Sequence, residues 1–316
     1  MNKKLKASLF AMMLLLVLLM SSCSSRETTE IPIVDCHVHF WDVSRPDPQG
    51  RRWPRKEHKE HFINYMPKTN YDSIANRNNV HGVVVVQSGQ ALEDNQWNLD
   101  ITAHNKDLYR GLVGNLSRVI GTDKFKPLFD KLCQDERYKG YRLSGKYQEK
   151  LTDAFYRDLA MTAARGKTVD FLVGGYKHAD VVKIAKRLPK LKIIVNHFAS
   201  VQLNGGPLDP TWVKQFKALA ECKNVYCKVS ALYGRVKKQP APKDVKYYTP
   251  VLDLAFENFG EDRLIYGSDW PVTILTGDYA SVVKLMKAYF DGKGRRLSEK
   301  LFYKNALKFY DIKKVK

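Results

Sequence analysis

The chain has 316 residues, with 53 Lys and Arg against 33 Asp and Glu, a formal net charge of +20. With 44% hydrophobic residues it has the material for one large core or two small ones. The basic residues are scattered over many elements and form no tract interleaved with aromatics, so nucleic-acid binding is set aside in favour of an anionic ligand, an anionic surface or a solvated basic exterior.

The chain opens with Met1-Asn2-Lys3-Lys4-Leu5-Lys6, and from Ala7 to Met20 it is almost purely apolar. A short apolar run behind lysines reads as a signal peptide and not as a spanning helix. Met20-Ser21-Ser22-Cys23 resembles a bacterial lipobox, although leucine is more usual than Met20 at its position. That resemblance implies removal of residues 1–22, acylation of Cys23 and an exported lipoprotein anchored to a membrane at the periplasm or outer membrane. The alternative is ordinary secretory cleavage nearby. Cleavage removes Lys3, Lys4 and Lys6 and leaves a net charge of +17. Residues 23–30 read as a polar tether, and residues 31–316 as a single domain. Besides Cys23 there are four cysteines, 36, 133, 222 and 227, with no zinc-ribbon spacing. Free buried thiols are expected, with a Cys222–Cys227 bridge as the alternative in an oxidising compartment.

Eight apolar strands are expected at residues 31–40, 83–87, 109–116, 140–144, 171–174, 192–197, 225–230 and 264–268. Helical patterns lie between them, at residues 99–105, 125–133, 151–165, 179–188, 212–220 and 248–259, and two more follow at 279–290 and 298–309. Strands alternating with helices predict parallel βαβ units. Eight units in this length predict a closed (β/α)8 TIM-type barrel with extra C-terminal helices. An open doubly wound sheet is the runner-up, disfavoured because no strand is followed by a glycine-rich phosphate loop.

The first strand reads Ile33-Val34-Asp35-Cys36-His37-Val38-His39-Phe40-Trp41-Asp42. Strict alternation would put Asp35, His37 and His39 on one face and Val34, Cys36 and Val38 on the other. The long stretch Asp42 to about Asn70 follows, with Arg45, Arg51, Arg52, Trp53, Arg55, His58 and His61, and is read as a substrate lid. Other strand ends also carry polar groups: Gln87, Arg142, His197, the pair Lys228 and Ser230, and Asp269. Polar side chains at the C-terminal ends of barrel strands are where this fold builds its chemistry.

These residues carry a resemblance. Val34 to Asp42, Val84-Val85-Val86-Gln87, Asn196-His197, Tyr226-Cys227-Lys228-Val229-Ser230 and Tyr266-Gly267-Ser268-Asp269-Trp270-Pro271-Val272 resemble the amidohydrolase superfamily, within it the amidohydrolase-related lactonases. The similarity runs over about residues 31 to 312. It implies a hydrolase that opens a lactone, with a sugar-acid lactone as substrate. Asp269 would activate water as general base, and His37, His39 and His197 would polarise the carbonyl. They would do so directly or through one divalent, zinc-like ion held by those three histidines and Asp269. Arg142, Lys228, Ser230, Gln87, His178 and Trp41 would contact substrate. Arg142 stands where two-metal relatives carry a bridging lysine, so a binuclear site is not expected, and no organic cofactor is implied. Two alternatives remain open: a metal-dependent amide hydrolase or decarboxylase on the same fold, and a non-catalytic lipoprotein binding carbohydrate or a partner protein.

Overall fold

Eight short runs rich in Val, Ile and Tyr pair side by side, all parallel, in the order in which they occur in the chain. The computed structural model describes residues 30–45, 64–89, 91–144, 151–173, 177–237 and 239–313. The strands are β1 (Ile33–Val38), β2 (Val80–Val86), β3 (Tyr109–Asn115), β4 (Tyr138–Leu143), β5 (Thr168–Phe171), β6 (Lys192–Val195), β7 (Val225–Ser230) and β8 (Leu264–Gly267). Beyond the last rung of β8 the ring closes onto β1. The amide of Asp269 donates to the carbonyl of His37 at 2.8 Å, and that of His39 to Trp270 at 2.8 Å. This is the (β/α)8 barrel expected from the alternation of elements.

The helices that wrap it include α1 (Asp72–Arg77), α2 (Asp94–Ile101), α3 (Phe125–Leu132), α4 (Asp153–Ala164), α5 (His178–Arg187), α6 (Pro210–Glu221), α7 (Thr249–Phe259) and α8 (Tyr279–Asp291). Local signals set several of their starts. Thr152 and Asp209 accept from the amides of Phe155 and Trp212 as N-caps, and Pro210 opens α6 where its missing N–H costs nothing. The helix expected at 99–105 begins five residues earlier, at Asp94, and ends in a separate turn at Ala103–Asn105. Its polar start had no apolar period to betray it.

Two apolar layers sandwich the strands. Outside, Val83, Val85, Leu112, Ile193, Val195, Cys227 and Val229 pack against the helices. Inside, Val34, Cys36, Val84, Val86, Val113, Ile194 and Ile265 meet Ala306, Phe309, Tyr310 and Ile312 of the C-terminal segment, which plugs the barrel from below. The C-terminal helices thus belong to the core. Cys36, Cys133, Cys222 and Cys227 are all free thiols, so the alternative Cys222–Cys227 bridge is not formed.

Strict alternation fails in β1. Its register against β2 is irregular between Asp35 and Val38. Val34 and Cys36 face the plugged interior, while Val38 joins Phe40 in the outer layer. Asp35 leaves the histidines and accepts from Tyr71 and Tyr279 hydroxyls, both at 2.9 Å, and from the Ser268 amide at 2.8 Å. Its burial raises its pKa. Asp35 ties the first strand end to the last and does not face the pocket.

Candidate active site

Three strand ends converge on one carboxylate oxygen. Asp269 Oδ1 stands 3.5 Å from His37 Nε2, 3.4 Å from His39 Nε2 and 3.9 Å from His197 Nε2. The His37 ring lies 4.8 Å from that of His39 and 4.5 Å from that of His197, centroid to centroid. All four residues are buried, none above 5% exposed, so a charge there is unshielded by water.

The backbone is bent to make this meeting. Asp269 has φ +63°, and His197 to Ser200 form a left-handed turn with φ between +50° and +63°. Ala231, just after β7, has φ +57°. A left-handed non-glycine residue costs roughly 1 kcal/mol or more. Such outliers gather where a side chain must be aimed, and here they re-aim β6, β7 and β8 at their C-terminal ends. Gly267 serves the same end, because a Cβ there would come 2.6 Å from the Cβ of His37.

The imidazoles are held by their second nitrogens. His39 Nδ1 lies 2.9 Å from the Val86 carbonyl, which can only accept, so that nitrogen carries the proton. In the neutral ring Nε2 is then a lone pair facing Asp269. His197 Nδ1 is 2.8 Å from Ser230 Oγ, whose hydroxyl serves either tautomer. Neither nitrogen of His37 has a hydrogen-bond partner among the described residues.

Burial pushes His197 down to about 3, with Arg235, Arg142 and His39 adding to the shift against the pull of Asp269. Burial also holds His37 far below its usual value, with Lys228 the next cause. Asp269 behaves in the opposite sense. Burial alone would raise it, but His197, His39 and Arg235 outweigh that and keep it below the ordinary carboxylate range. At neutral pH Asp269 is therefore ionised beside uncharged His37 and His197 rings.

That donor set fits a divalent cation. A lone pair and a carboxylate oxygen 3.4 Å apart repel unless a cation or proton lies between them. The ligand atoms of His37, His39 and Asp269 all lie within 4.8 Å of one another. His39 also shows the outer hydrogen bond to a carbonyl that orients metal-binding imidazoles.

The other expected site residues fall into two groups. Around the pocket, Trp41 is buried with its ring 6.2 Å from that of His39. Arg142 is 9% exposed and donates to the Gln87 carbonyl at 3.0 Å, while its Nε and both amide atoms of the Gln87 side chain have no partner among the described residues. Burial lowers Arg142 to about 10, which still leaves it a cation at neutral pH.

In the second group, Lys228 is fully buried, near enough for its charge to bear on His37, and pairs with Asp170 at 2.6 Å. Asn196 Nδ2 also donates to Asp170, at 3.0 Å. His178 opens α5 and holds the Ala199 carbonyl at 3.1 Å, apart from the three clustered histidines. In the stretch after β1, Arg45 pairs with Asp94 at 2.9 Å and lies over the Trp97 ring. Arg51, Arg52, Trp53, Arg55, His58 and His61 lie outside the described residues, as do the signal segment and Cys23.

Two functional neighbours escaped the sequence reading. Asp170 lies just before the apolar run 171–174, and the strand itself covers Thr168–Phe171. The alternation Thr168-Val169-Asp170-Phe171 was the signal, with the acid on the inward phase. Arg235 sits in a turn, half-buried, and its charge bears on both Asp269 and His197. No local pattern marks it.

The Amidohydrolase family model matches residues 34–312. An L-fucono-1,5-lactonase of Burkholderia ambifaria is 28% identical over 287 residues, covering 88% of this chain and 95% of the relative. An L-rhamnono-gamma-lactonase of Scheffersomyces stipitis is 25% identical over 161 residues, covering 46% of this chain and 48% of the relative. A crystal structure of an amidohydrolase from Burkholderia multivorans with bound zinc superposes with a TM-score of 0.74 at 19% identity, covering 89% of this chain and 100% of that one.

Proposed function

This chain belongs to the amidohydrolase family, and from that membership we propose that it opens a lactone ring, with a sugar-acid lactone as the substrate class. The observation that carries the reading is the single carboxylate oxygen of Asp269 ringed by the Nε2 atoms of His37, His39 and His197. The lactonase relatives support the choice of a cyclic ester.

The chemistry follows from the groups present. Water attacks the lactone carbonyl carbon while Asp269, ionised and beside it, takes the water proton. Charge develops on the carbonyl oxygen. When Ser230 donates to His197 Nδ1, the His197 proton sits on Nε2, facing the pocket, and can hydrogen-bond that oxygen. Arg142, cationic in a buried setting, adds to the same stabilisation. The tetrahedral adduct collapses, the ring C–O bond breaks, and Asp269 returns the proton to the leaving alkoxide. The product is a hydroxy acid. His37, His39, His197 and Asp269 are also the residues that would hold a divalent ion. When bound, it would supply Lewis-acid polarisation and a more acidic water.

The set of four buried groups is complete, which argues against a retired binding site. From the sequence alone, the stretch Asp42 to Asn70 stays a proposed substrate lid, and Cys23 the proposed acylated N-terminus of an exported, membrane-anchored protein. Mass spectrometry of the N-terminal peptide tests the latter, since an unmodified Cys23 in protein from a bacterial envelope would remove it. The function itself is tested with a panel of aldonolactones assayed with and without chelator. Hydrolysis of at least one sugar lactone is expected. Turnover confined to amides, or decarboxylation with no lactone opened, would overturn the reading.

A further inference from the structure

A parallel barrel brings the starts of all its strands to the face opposite the active site. Four neighbouring strands here begin with a cation. Arg110 is the second residue of β3, Lys139 the second of β4, Lys167 directly precedes β5, and Lys192 opens β6. They line one cavity of about 520 Å³ together with the C-terminal residues Tyr310 and Asp311. Among the lining residues lysines and arginines outnumber acids eight to two.

Arg137, Arg165 and Lys313 of this lining pair with Asp135, Asp130 and Glu136 at 2.8, 2.7 and 3.5 Å, whereas the three lysines at the strand starts are oriented by neutral groups. Lys139 Nζ donates to the Asp311 carbonyl at 3.0 Å, Lys192 to the Phe309 carbonyl at 3.1 Å, and Lys167 to the Tyr138 carbonyl at 2.5 Å. Neutral carbonyls fix a direction but cancel no charge. Arg110 Nε is buried and has no hydrogen-bond partner among the described residues. Its terminal nitrogen is 3.6 Å from Asp107, whose side chain is 98% exposed. Glu136, one of the two acids, is 84% exposed. Burial lowers the pKa of Lys139, and the charge of Lys167 pushes it further down. Like charges pressed together in a concave site attract a counter-ion of high charge density. Ammonium groups act as point charges for phosphate oxygens, and the volume holds more than a single carboxylate.

We propose that this N-terminal face is a second ligand site, separate from the catalytic pocket, for a multiply charged phosphate-bearing anion. The phosphate groups come from a free phosphorylated metabolite or from the headgroup of an anionic lipid.

The purified full chain is titrated with inorganic pyrophosphate by calorimetry at fixed ionic strength, and sedimented with phosphatidylglycerol or phosphatidylcholine vesicles. Arg110→Gln/Lys167→Gln is compared with Lys214→Gln/Lys217→Gln, which removes the same charge from α6. Saturable pyrophosphate binding is expected, weakened about tenfold or more in the first variant and by less than threefold in the second, with unchanged thermal midpoints. Sedimentation with phosphatidylglycerol alone, lost in the first variant and competed by pyrophosphate, supports a headgroup. Pyrophosphate binding without vesicle binding supports a free phosphate compound. No saturable binding of either probe, or equal loss in both variants, overturns the site.

Discussion

Replacing Asp269 with asparagine separates the chemistry from the fold. Asparagine has nearly the same shape and is among the few residues that tolerate a left-handed backbone, so φ +63° is preserved. The backbone bonds from the Asp269 amide to His37 and from Thr273 to the Asp269 carbonyl are untouched. What is lost is the group that accepts the water proton and returns it. General-base catalysis is typically worth about 10²- to 10⁴-fold in rate, or roughly 3 to 5 kcal/mol of barrier. A sugar lactone turned over by the wild type should therefore lose about two to four decades of kcat/KM in D269N, with thermal unfolding shifted by only a few degrees. The assay is proton release in weak buffer under a pH indicator. A variant within about threefold of wild type, folded and bearing the same backbone, would refute the assignment of Asp269 as base.

Other outcomes follow from the same geometry. The neighbours of Asp269 hold its pKa below the ordinary carboxylate value, so the ionised base persists to lower pH. The acid limb of kcat/KM should accordingly fall below about pH 4, where an unperturbed aspartate titrates, and a midpoint near 6 would contradict it. Lys228→Met leaves Asp170 charged and unpaired in the barrel, which should cost about 3 to 5 kcal/mol in urea denaturation. Adding Asp170→Asn removes the orphan charge and should restore most of that loss. Elemental analysis of protein purified without chelator should find up to one zinc-like ion per chain, and His39→Ala should weaken its retention about tenfold or more.

Much of the architecture is written in local pattern. Apolar strand runs spaced by amphipathic helices determined an eight-stranded parallel barrel, and only a few element ends moved. The site could be read at the same level, because parallel strands bring their C-terminal ends to one face whatever the packing details. His37, His39, His197 and Asp269 met there as their positions required. Periodicity carries no information about irregular backbone, and there the tertiary structure decided. The register irregularity in β1 sent Asp35 outward to Tyr71 and Tyr279. The strand that starts at Thr168 brought Asp170 beneath the site and made Lys228 its ion partner. A turn after β7 delivered Arg235 to Asp269. Whether a charged side chain meets a substrate or another side chain depends on what lies across the barrel, tens of residues away in sequence, and no window along the chain contains both partners.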